Sequence, residues 1–445
     1  MTGEAYSNPA EAIATSPMTN RQFLIVAICI FINAIDGFDI LSISLASPDI
    51  AAEWGVGKAA LGIMLSAELV GMGVGSILLG QLADRLGRRP VLLFCLLLMT
   101  AGMLGAALAP NFLALATVRL FTGIGIGGML PCLSAIVAEV ANRKWRSAAV
   151  ALMAAGYPLG AVLGGSIATR MLADGEWRDV FMVGAFFSAL MVPVCFMFLP
   201  ESLGSLMRRF SGERRVALVN RALHMLGRAP LSGVPDLKIL ARPGMSELFS
   251  KAMIGATLLL TAAYFMHMIS FYFFLKWVPQ IVADMGFTSA EAGSVLVWAN
   301  VGGLIGSLLF SVLTLRYFVG PLLIAVLGAS FILLGIFGNV GSELQVIGLV
   351  AVALGLVTNA AVVGLYALIA EVYPDRLRAG GAGFSLGVGR GGAALGPVAG
   401  GLLFAGGMQL ELVTFILGGG SLIAVILVAC LLRVLRGRAA EIHSI

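Results

Sequence analysis

Gly80-Gln81-Leu82-Ala83-Asp84-Arg85-Leu86-Gly87-Arg88-Arg89 stands between two long apolar runs and carries three arginines in ten residues. It is too short to be a domain and too basic to lie in lipid. It therefore reads as a tight loop joining two membrane spans on the face where positive charge collects. Gly87 supplies the backbone freedom that such a turn uses. Outward from this loop the same pattern recurs along the chain, with apolar runs punctuated by short basic segments.

Composition sets the solvent. Of 445 residues, 59% are hydrophobic and 11% charged, where a soluble domain carries about 25% charged residues. Mean hydropathy is +1.00. So little polar side chain cannot cover water-soluble domains, and disorder, fibres and secreted disulfide scaffolds are excluded as well. The net charge of +5 does not mark a nucleic-acid binder, because the basic residues form no patch or stripe. The cysteines Cys29, Cys95, Cys132, Cys195 and Cys430 lie far apart inside apolar runs and read as small buried hydrophobes. The stretch from Met1 to Asn20 lacks the apolar segment and cleavage site of a secretory signal, so the first hydrophobic run reads as an uncleaved span.

A span needs about 20 apolar residues of helix. Twelve runs qualify, near 22–45, 60–82, 90–109, 111–138, 148–170, 180–199, 252–275, 289–314, 319–338, 345–370, 380–404 and 412–433. They lack period-2 alternation, which excludes a β-barrel. The predicted fold is an all-α integral membrane protein, with twelve transmembrane helices in two pseudo-symmetric six-helix bundles. The segments are an N-terminal tail 1–21, a first bundle 22–199, a linker 200–251, a second bundle 252–433 and a C-terminal tail 434–445. With the N-terminus inside, 22 of the 28 Lys and Arg fall in inside segments, while Lys58, Arg170, Arg178 and Lys276 fall outside. The positive-inside rule thus places both termini, and the linker, in the cytoplasm. The linker's basic character fits contact with anionic lipid.

At an offset of 232, Ala138-Glu139-Val140 answers Ala370-Glu371-Val372, Arg146 answers Arg378, and Gly160 and Gly164 answer Gly392 and Gly396. Two parallel halves of six spans, facing each other, are the build of a transporter with its site near the midplane. Most glycines here need only a packing role, letting helices approach closely in lipid.

The loop quoted first, Gly-x-x-x-Asp-Arg-x-Gly-Arg-Arg, resembles the signature loop of the major facilitator superfamily, and with the spans and repeat the resemblance covers nearly the whole chain. It implies gating by Gly80, Asp84, Arg85, Gly87, Arg88, Arg89, Glu139, Arg146, Glu371 and Arg378. Asp84 can sit at a positive helix N-terminus and the arginines can pair with Glu139, contacts expected in an outward-open state and broken in an inward-open one. The second half departs from the pattern, with Leu315 where the acidic residue would recur. Arg119-Leu120-Phe121-Thr122-Gly123-Ile124-Gly125 also resembles a superfamily motif, one associated with proton-coupled members. The alternative is a glycine packing face whose arginine snorkels to the interface.

A charge centred in a span costs about 2.5–3.5 kcal/mol on the insertion scale, so each one needs a partner or a function. Asp36, Asp39, Glu68, Arg119 and Arg390 meet that description, with His267 and Lys276 in or near the seventh span. Asp36 and Asp39 lie three residues apart on nearly one helix face, and Asn33 extends that stripe. Two carboxylates so close in low dielectric disfavour joint ionisation, which suits them to carry a proton. The bland alternative is a pair of ordinary carboxylates at an exposed helix end.

Asp36-Gly37-Phe38-Asp39 resembles the Asp-Gly-x-Asp signature of the aromatic acid:proton symporter family, and Pro200-Glu201-Ser202-Leu203 after span six and Gly389-Arg390-Gly391-Gly392 followed by Gly396-Pro397 in span eleven also resemble segments of that family. The resemblance implies that Asp36 and Asp39 are required for transport. Arg390 offers a planar fork to a substrate carboxylate, or else balances a membrane carboxylate such as Glu68. Tyr264 and His267, in the aromatic-rich seventh span, are candidates to meet a substrate ring, although aromatics on all sides also suit a lipid-facing belt. Gly396-Pro397-Val398-Ala399-Gly400-Gly401 lies in span eleven rather than span five, which weakens a drug-antiporter reading.

The expected function is proton-coupled uptake of an aromatic carboxylate, such as a benzoate or hydroxybenzoate, across a bacterial inner membrane by a monomer. Its partners are the carboxylate, protons and the lipid bilayer, with no nucleic acid, metal or cofactor. The alternatives keep the fold and change the cargo: a proton antiporter for drugs, or a symporter of a non-aromatic acid or sugar. An enzyme would need a metal cluster or a nucleophile with its base, and the histidines His224, His267 and His443 stand far apart.

Overall fold

The computed structural model describes residues 9–174, 176–231, 245–250 and 253–443. The side chain of Asp84, and linker residues 232–244, lie outside the described set. The first half consists of α1 (Pro9–Thr15), α2 (Asn20–Trp54), α3 (Lys58–Leu86), α4 (Arg88–Ala107), α5 (Phe112–Val140), α6 (Arg146–Asp174) and α7 (Trp177–Phe198). Two short helices follow, α8 (Leu203–Arg209) and α9 (Gly212–Met225). After a 3-10 turn the second half holds α10 (Ile254–Asp284), α11 (Ser289–Leu313), α12 (Val319–Gly338), α13 (Leu344–Val372), α14 (Asp375–Ala405) and α15 (Leu410–His443). No strand occurs among the described residues.

Eleven helices among the described residues are long and apolar enough to cross a membrane. The twelfth, α14, is 31 residues long, but its ten glycines and Arg390 dilute its hydropathy. Local sequence sets the ends. Thr19 and Gln22 close a capping box on α2, Thr288 and Glu291 close one on α11, and Gly55 ends α2 at φ +62°.

The halves pack by the same rule. In the first, α2 packs on α6 and α7, α3 on α5, and α4 on α5 and α7; in the second, α10 packs on α14 and α15, α11 on α13, and α12 on α13 and α15. Across the interface α3 meets α14, α6 meets α11 and α2 meets α10. At the end away from the termini the halves are joined by Lys58 with Asp284 and Ser289 with Asp49, and Gly62 lies against Pro397 and Gly401. Toward the end that carries the termini, Arg390 Nη1 donates to the Met72 carbonyl across the interface. There Gly80 of α3 and Gly383 and Gly387 of α14 face open space. The bundle is therefore closed at its far end and parted at its basic end.

Three features differ from the sequence reading. First, α2 runs on to Trp54 and α10 to Asp284, past Pro48 and Pro279. Neighbouring helices tolerate these prolines in a membrane bundle, so Lys276, expected in an outside loop, lies inside the protein. Second, the aromatic run of the seventh span faces inward, with Tyr264, Phe271, Phe273, Phe274 and Trp277 buried. A helix apolar all round belongs in the interior, and α10 touches α2, α11, α13, α14 and α15. Third, α8 and α9 fold against the first half. Thr19 Oγ1 donates to the Leu226 carbonyl at 2.6 Å, and Arg228 Nη2 donates to Gln22 Oε1 at 2.9 Å.

Candidate transport site

The centre of the interface holds a set of buried charges. Arg119, two turns into α5, is fully buried; its Nη1 donates to Asp39 Oδ1 at 2.6 Å and its Nη2 to the Asp39 carbonyl at 3.0 Å. Nη2 also lies 2.6 Å from Glu68 Oε1. The Phe181 ring lies against the guanidinium at 5.6 Å. One turn beyond Arg119, Gly123 packs on the Glu68 carbonyl, where a side chain would clash. That close approach of α5 to α3 lets the arginine reach both carboxylates.

Glu68 is also reached from the second half. Lys276 Nζ, fully buried on α10, lies 3.5 Å from Glu68 Oε2 and donates to the Ile40 carbonyl at 2.5 Å. A buried charge survives only when paired and hydrogen-bonded. Here two cations clamp one carboxylate between the halves.

Asp36, one turn from Asp39, is 3% exposed, and its Oδ1 has no hydrogen-bond partner among the described residues. It lies within electrostatic reach of Asp39, Glu68 and Arg390. Asn33 Nδ2 donates to the Met153 carbonyl at 2.8 Å, tying α2 to α6. Arg390, half-buried on α14, donates from Nη1 to the Met72 carbonyl at 3.0 Å. Glu68, its alternative partner by sequence, is occupied by Arg119 and Lys276.

Tyrosines gather around this centre. Tyr264 and Tyr366 meet through their hydroxyls at 3.3 Å, with ring centroids 5.9 Å apart. Tyr157 and Tyr272 lie within electrostatic reach of Asp36 and Glu68. His267 instead belongs to the second half's interior. Its Nδ1 pairs with Ser421 Oγ at 3.0 Å and its Nε2 with the Thr358 carbonyl at 3.1 Å, joining α10, α13 and α15. Among the described residues, no group of three or more His, Cys, Asp or Glu could hold a metal ion.

The basic loop forms a second cluster, wholly within the first half. Gly87 has φ +106°, a conformation in which side chains are strained, and a Cβ there would strike the Glu201 carboxylate. Glu201 Oε1 accepts from the backbone N–H of Arg88 at 2.9 Å, capping α4. Arg88 Nη1 pairs with Glu139 Oε1 at 2.5 Å, and Glu139 Oε2 accepts from Ser202 Oγ at 2.6 Å. Arg89 donates to the Phe196 carbonyl and stacks over that ring. Gly80, Arg85, Arg146, Glu371 and Arg378 lie apart from this knot: Arg85, Arg146, Glu371 and Arg378 are exposed, and Arg378 Nε donates to the Ala370 carbonyl at 3.0 Å. The Arg88–Glu139 pair is intact although the bundle is parted at this end, because both partners ride on one half.

Sequence reading gave no role to Tyr157, Tyr366 or Glu201, took Tyr272 only as one of the seventh span's aromatics, and placed Lys276 in or near that span without a partner. Lys276 did carry a signal, as a lone charge followed by an apolar stretch that continues the helix to Asp284.

Two facing six-helix halves with buried charges at their seam, parted at one end, define a secondary transporter. The model of the Major Facilitator Superfamily matches residues 26–262 and 260–443, and the chain belongs to that superfamily. Among curated proteins the chain is 30% identical to the gallate transporter of Pseudomonas putida over 91% of both chains. It is likewise 30% identical to the 4-hydroxybenzoate transporter PcaK of the same species over 90% of both. Identity is 31% to the 3-(3-hydroxy-phenyl)propionate transporter of Escherichia coli strain K12, over 88% of this chain and 89% of that one. Among solved structures, the partially occluded inward-open form of the E. coli xylose transporter XylE superposes with a TM-score of 0.71 at 16% identity, covering 92% of this chain and 98% of that one, which shows the shared fold.

Proposed function

We propose that this protein carries an aromatic carboxylate together with protons into a bacterial cell across the inner membrane, acting as a monomer with both termini in the cytoplasm. The observation that carries the reading is the charged seam: a guanidinium, Arg390, lies within electrostatic reach of Asp36, whose Oδ1 has no hydrogen-bond partner among the described residues, beside the Asp39–Arg119–Glu68–Lys276 chain. The names of the related proteins, transporters of gallate, 4-hydroxybenzoate and hydroxyphenylpropionate, support the choice of cargo.

In this mechanism the Arg390 fork receives the substrate carboxylate. Tyr264 and Tyr366 lie beside it as a polar-edged aromatic wall for the ring. A proton on Asp36 removes one of the negative charges that the incoming anion would otherwise face. Parting of the basic end then releases both to the cytoplasm, and the halves close empty and return. The Arg88–Glu139–Glu201 knot keeps α3, α4, α5 and α8 moving as one body during these swings.

The test is uptake of labelled benzoate, hydroxybenzoates, vanillate and phenylpropionates into proteoliposomes, with xylose and a dicarboxylate as controls, with and without an inward proton gradient. Gradient-dependent accumulation of aromatic acids alone is the expected result. Accumulation of the controls instead, or gradient-driven efflux of any compound, overturns it.

A further inference from the structure

Away from the seam, the basic end of the first half carries an open cleft of about 680 Å³ between the N-terminal segment and the loop joining α5 to α6. Residues 14, 15, 17 and 18 line it from one side, residues 142–145 from the other, and Phe23 from the start of α2. Both sides are held in place. The buried Asn142 donates from Nδ2 to the Ser16 carbonyl at 3.1 Å and accepts at Oδ1 from the Trp145 N–H at 3.0 Å, while the Arg143 N–H donates to the Ala14 carbonyl at 2.9 Å. Ile13, fully buried, anchors α1. The side chains of Arg143, Lys144 and Trp145 are left exposed. Those of Arg143 and Lys144 make no hydrogen bond or ion pair among the described residues, and Lys144 Nζ lies over the Trp145 ring at 5.9 Å.

The cleft stands on the outer wall of the bundle rather than on the transport path. On α2, Asp36 and Asp39 turn toward the seam, whereas Phe23, Leu24 and Phe31 are exposed. The Ile30 carbonyl lies against Gly156 of α6, and the Phe31 ring against Phe187 of α7 at 6.3 Å. The exposed face of α2 is thus a strip between α6 and α7, where a bilayer would cover it. Across residues 9–23 and 140–146 the cations Arg21, Arg143, Lys144 and Arg146 stand against a single carboxylate, Glu11.

We infer that this cleft binds an anionic phospholipid of the leaflet at the basic end, with the phosphate at Arg143 and Lys144 and the acyl chains along Phe23, Leu24 and Phe31. The site is divided as a lipid is. Unpaired cations stand at the level where α2 and α6 begin, beside an aromatic ring of the interfacial kind, and an apolar strip runs from there into the depth of the membrane. A soluble anion would meet the cations and leave the strip uncovered; a neutral lipid would cover the strip and leave the cations unpaired. A lipid held here anchors α1 and the α5–α6 loop at the membrane surface, whatever cargo the seam carries.

The test uses the full-length protein in phosphatidylcholine nanodiscs doped with a phospholipid brominated on its acyl chains near the headgroup. Bromine quenches a tryptophan that it touches, and the Trp145 signal is the wild-type fluorescence less that of Trp145→Phe. Each cation near the surface favours an anionic lipid about fivefold, so the pair should give brominated phosphatidylglycerol a relative affinity of about 30 over brominated phosphatidylcholine. In the double variant Arg143→Gln, Lys144→Gln the preference should vanish, while quenching of the other tryptophans stays as in wild type. Equal quenching of wild-type Trp145 by the two lipids overturns the inference, as does a preference that survives in the double variant. Little quenching by either lipid means that the chain itself fills the cleft, and also overturns it. Relief of the quenching by millimolar inorganic phosphate or glycerol phosphate marks a site for a free anion and overturns the lipid assignment. If the double variant fails to insert, the headgroup comparison and the phosphate competition on the wild type still decide.

Discussion

Asp36→Asn is the sharpest perturbation the seam offers, because Asp36 Oδ1 has no hydrogen-bond partner among the described residues and the change keeps side-chain volume while removing the proton-carrying group. Asn can neither take up nor release a proton, so on the empty return Arg390 is left with an uncompensated positive charge within the seam. Such a charge costs about 2.5–3.5 kcal/mol at the centre of a span, which corresponds to slowing the empty crossing by about 70- to 400-fold. The loaded crossing behaves differently. Asn stands where protonated Asp36 would stand, so a bound anion still crosses without a proton. The expected phenotype is dissociation of two assays on the same proteoliposomes. Gradient-driven accumulation should collapse by about two orders of magnitude, while exchange of external labelled substrate for internal unlabelled substrate should stay within a few-fold of wild type. Accumulation at wild-type levels would refute the reasoning, and so would loss of exchange in equal measure.

Arg390→Lys keeps a cation near Met72 but loses the fork. Forfeiting one charge-assisted hydrogen bond, about 1.5–3 kcal/mol, should raise the substrate Kd about 10- to 150-fold in a binding titration on purified protein. Glu201→Ala removes the acceptor that caps α4; it should lower the Tm in detergent, at a cost of about 1 kcal/mol, and leave substrate Kd unchanged. Gly62→Val should stop the far end from sealing, since a Cβ there would sit 2.5 Å from the Pro397 carbonyl. In that background a cysteine introduced by Ser44→Cys should react with an impermeant maleimide from the far side, and in the Gly62 parent it should not.

The architecture was legible because membrane helices must satisfy their backbone internally and declare themselves as long apolar runs. The repeat was legible because Glu139 and Glu371 stand at matching positions in the halves. Helix ends were harder to place. Lys276 and Asp49 read as loop charges, yet each is held inside a longer helix by a partner more than 200 residues away, Glu68 and Ser289 respectively. The site was visible as a set of expensive charges and invisible as a network. Sequence names Asp36, Asp39, Glu68, Arg119 and Arg390, but their pairing depends on how far α5 and α10 approach α3, and a glycine such as Gly123 decides that in three dimensions. The stripe from Asn33 to Asp39 illustrates the point. Its residues share a face, yet Asn33 is bound to α6, Asp39 to Arg119, and Asp36 Oδ1 has no hydrogen-bond partner among the described residues. Tyr366 and Tyr157 carried no local signal, because nothing in their own segments places them beside charges on other helices.

The central claim is that protons travel inward with the carboxylate, and external pH reads that movement directly. Proteoliposomes in weak buffer, with no gradient imposed and the potential clamped, receive an aromatic carboxylate that wild-type protein accumulates. The account predicts alkalinisation of the outer medium that starts with substrate addition and is absent from protein-free liposomes and from Asp36→Asn. Uptake of the labelled carboxylate with no change in outer pH, or with acidification, would contradict it.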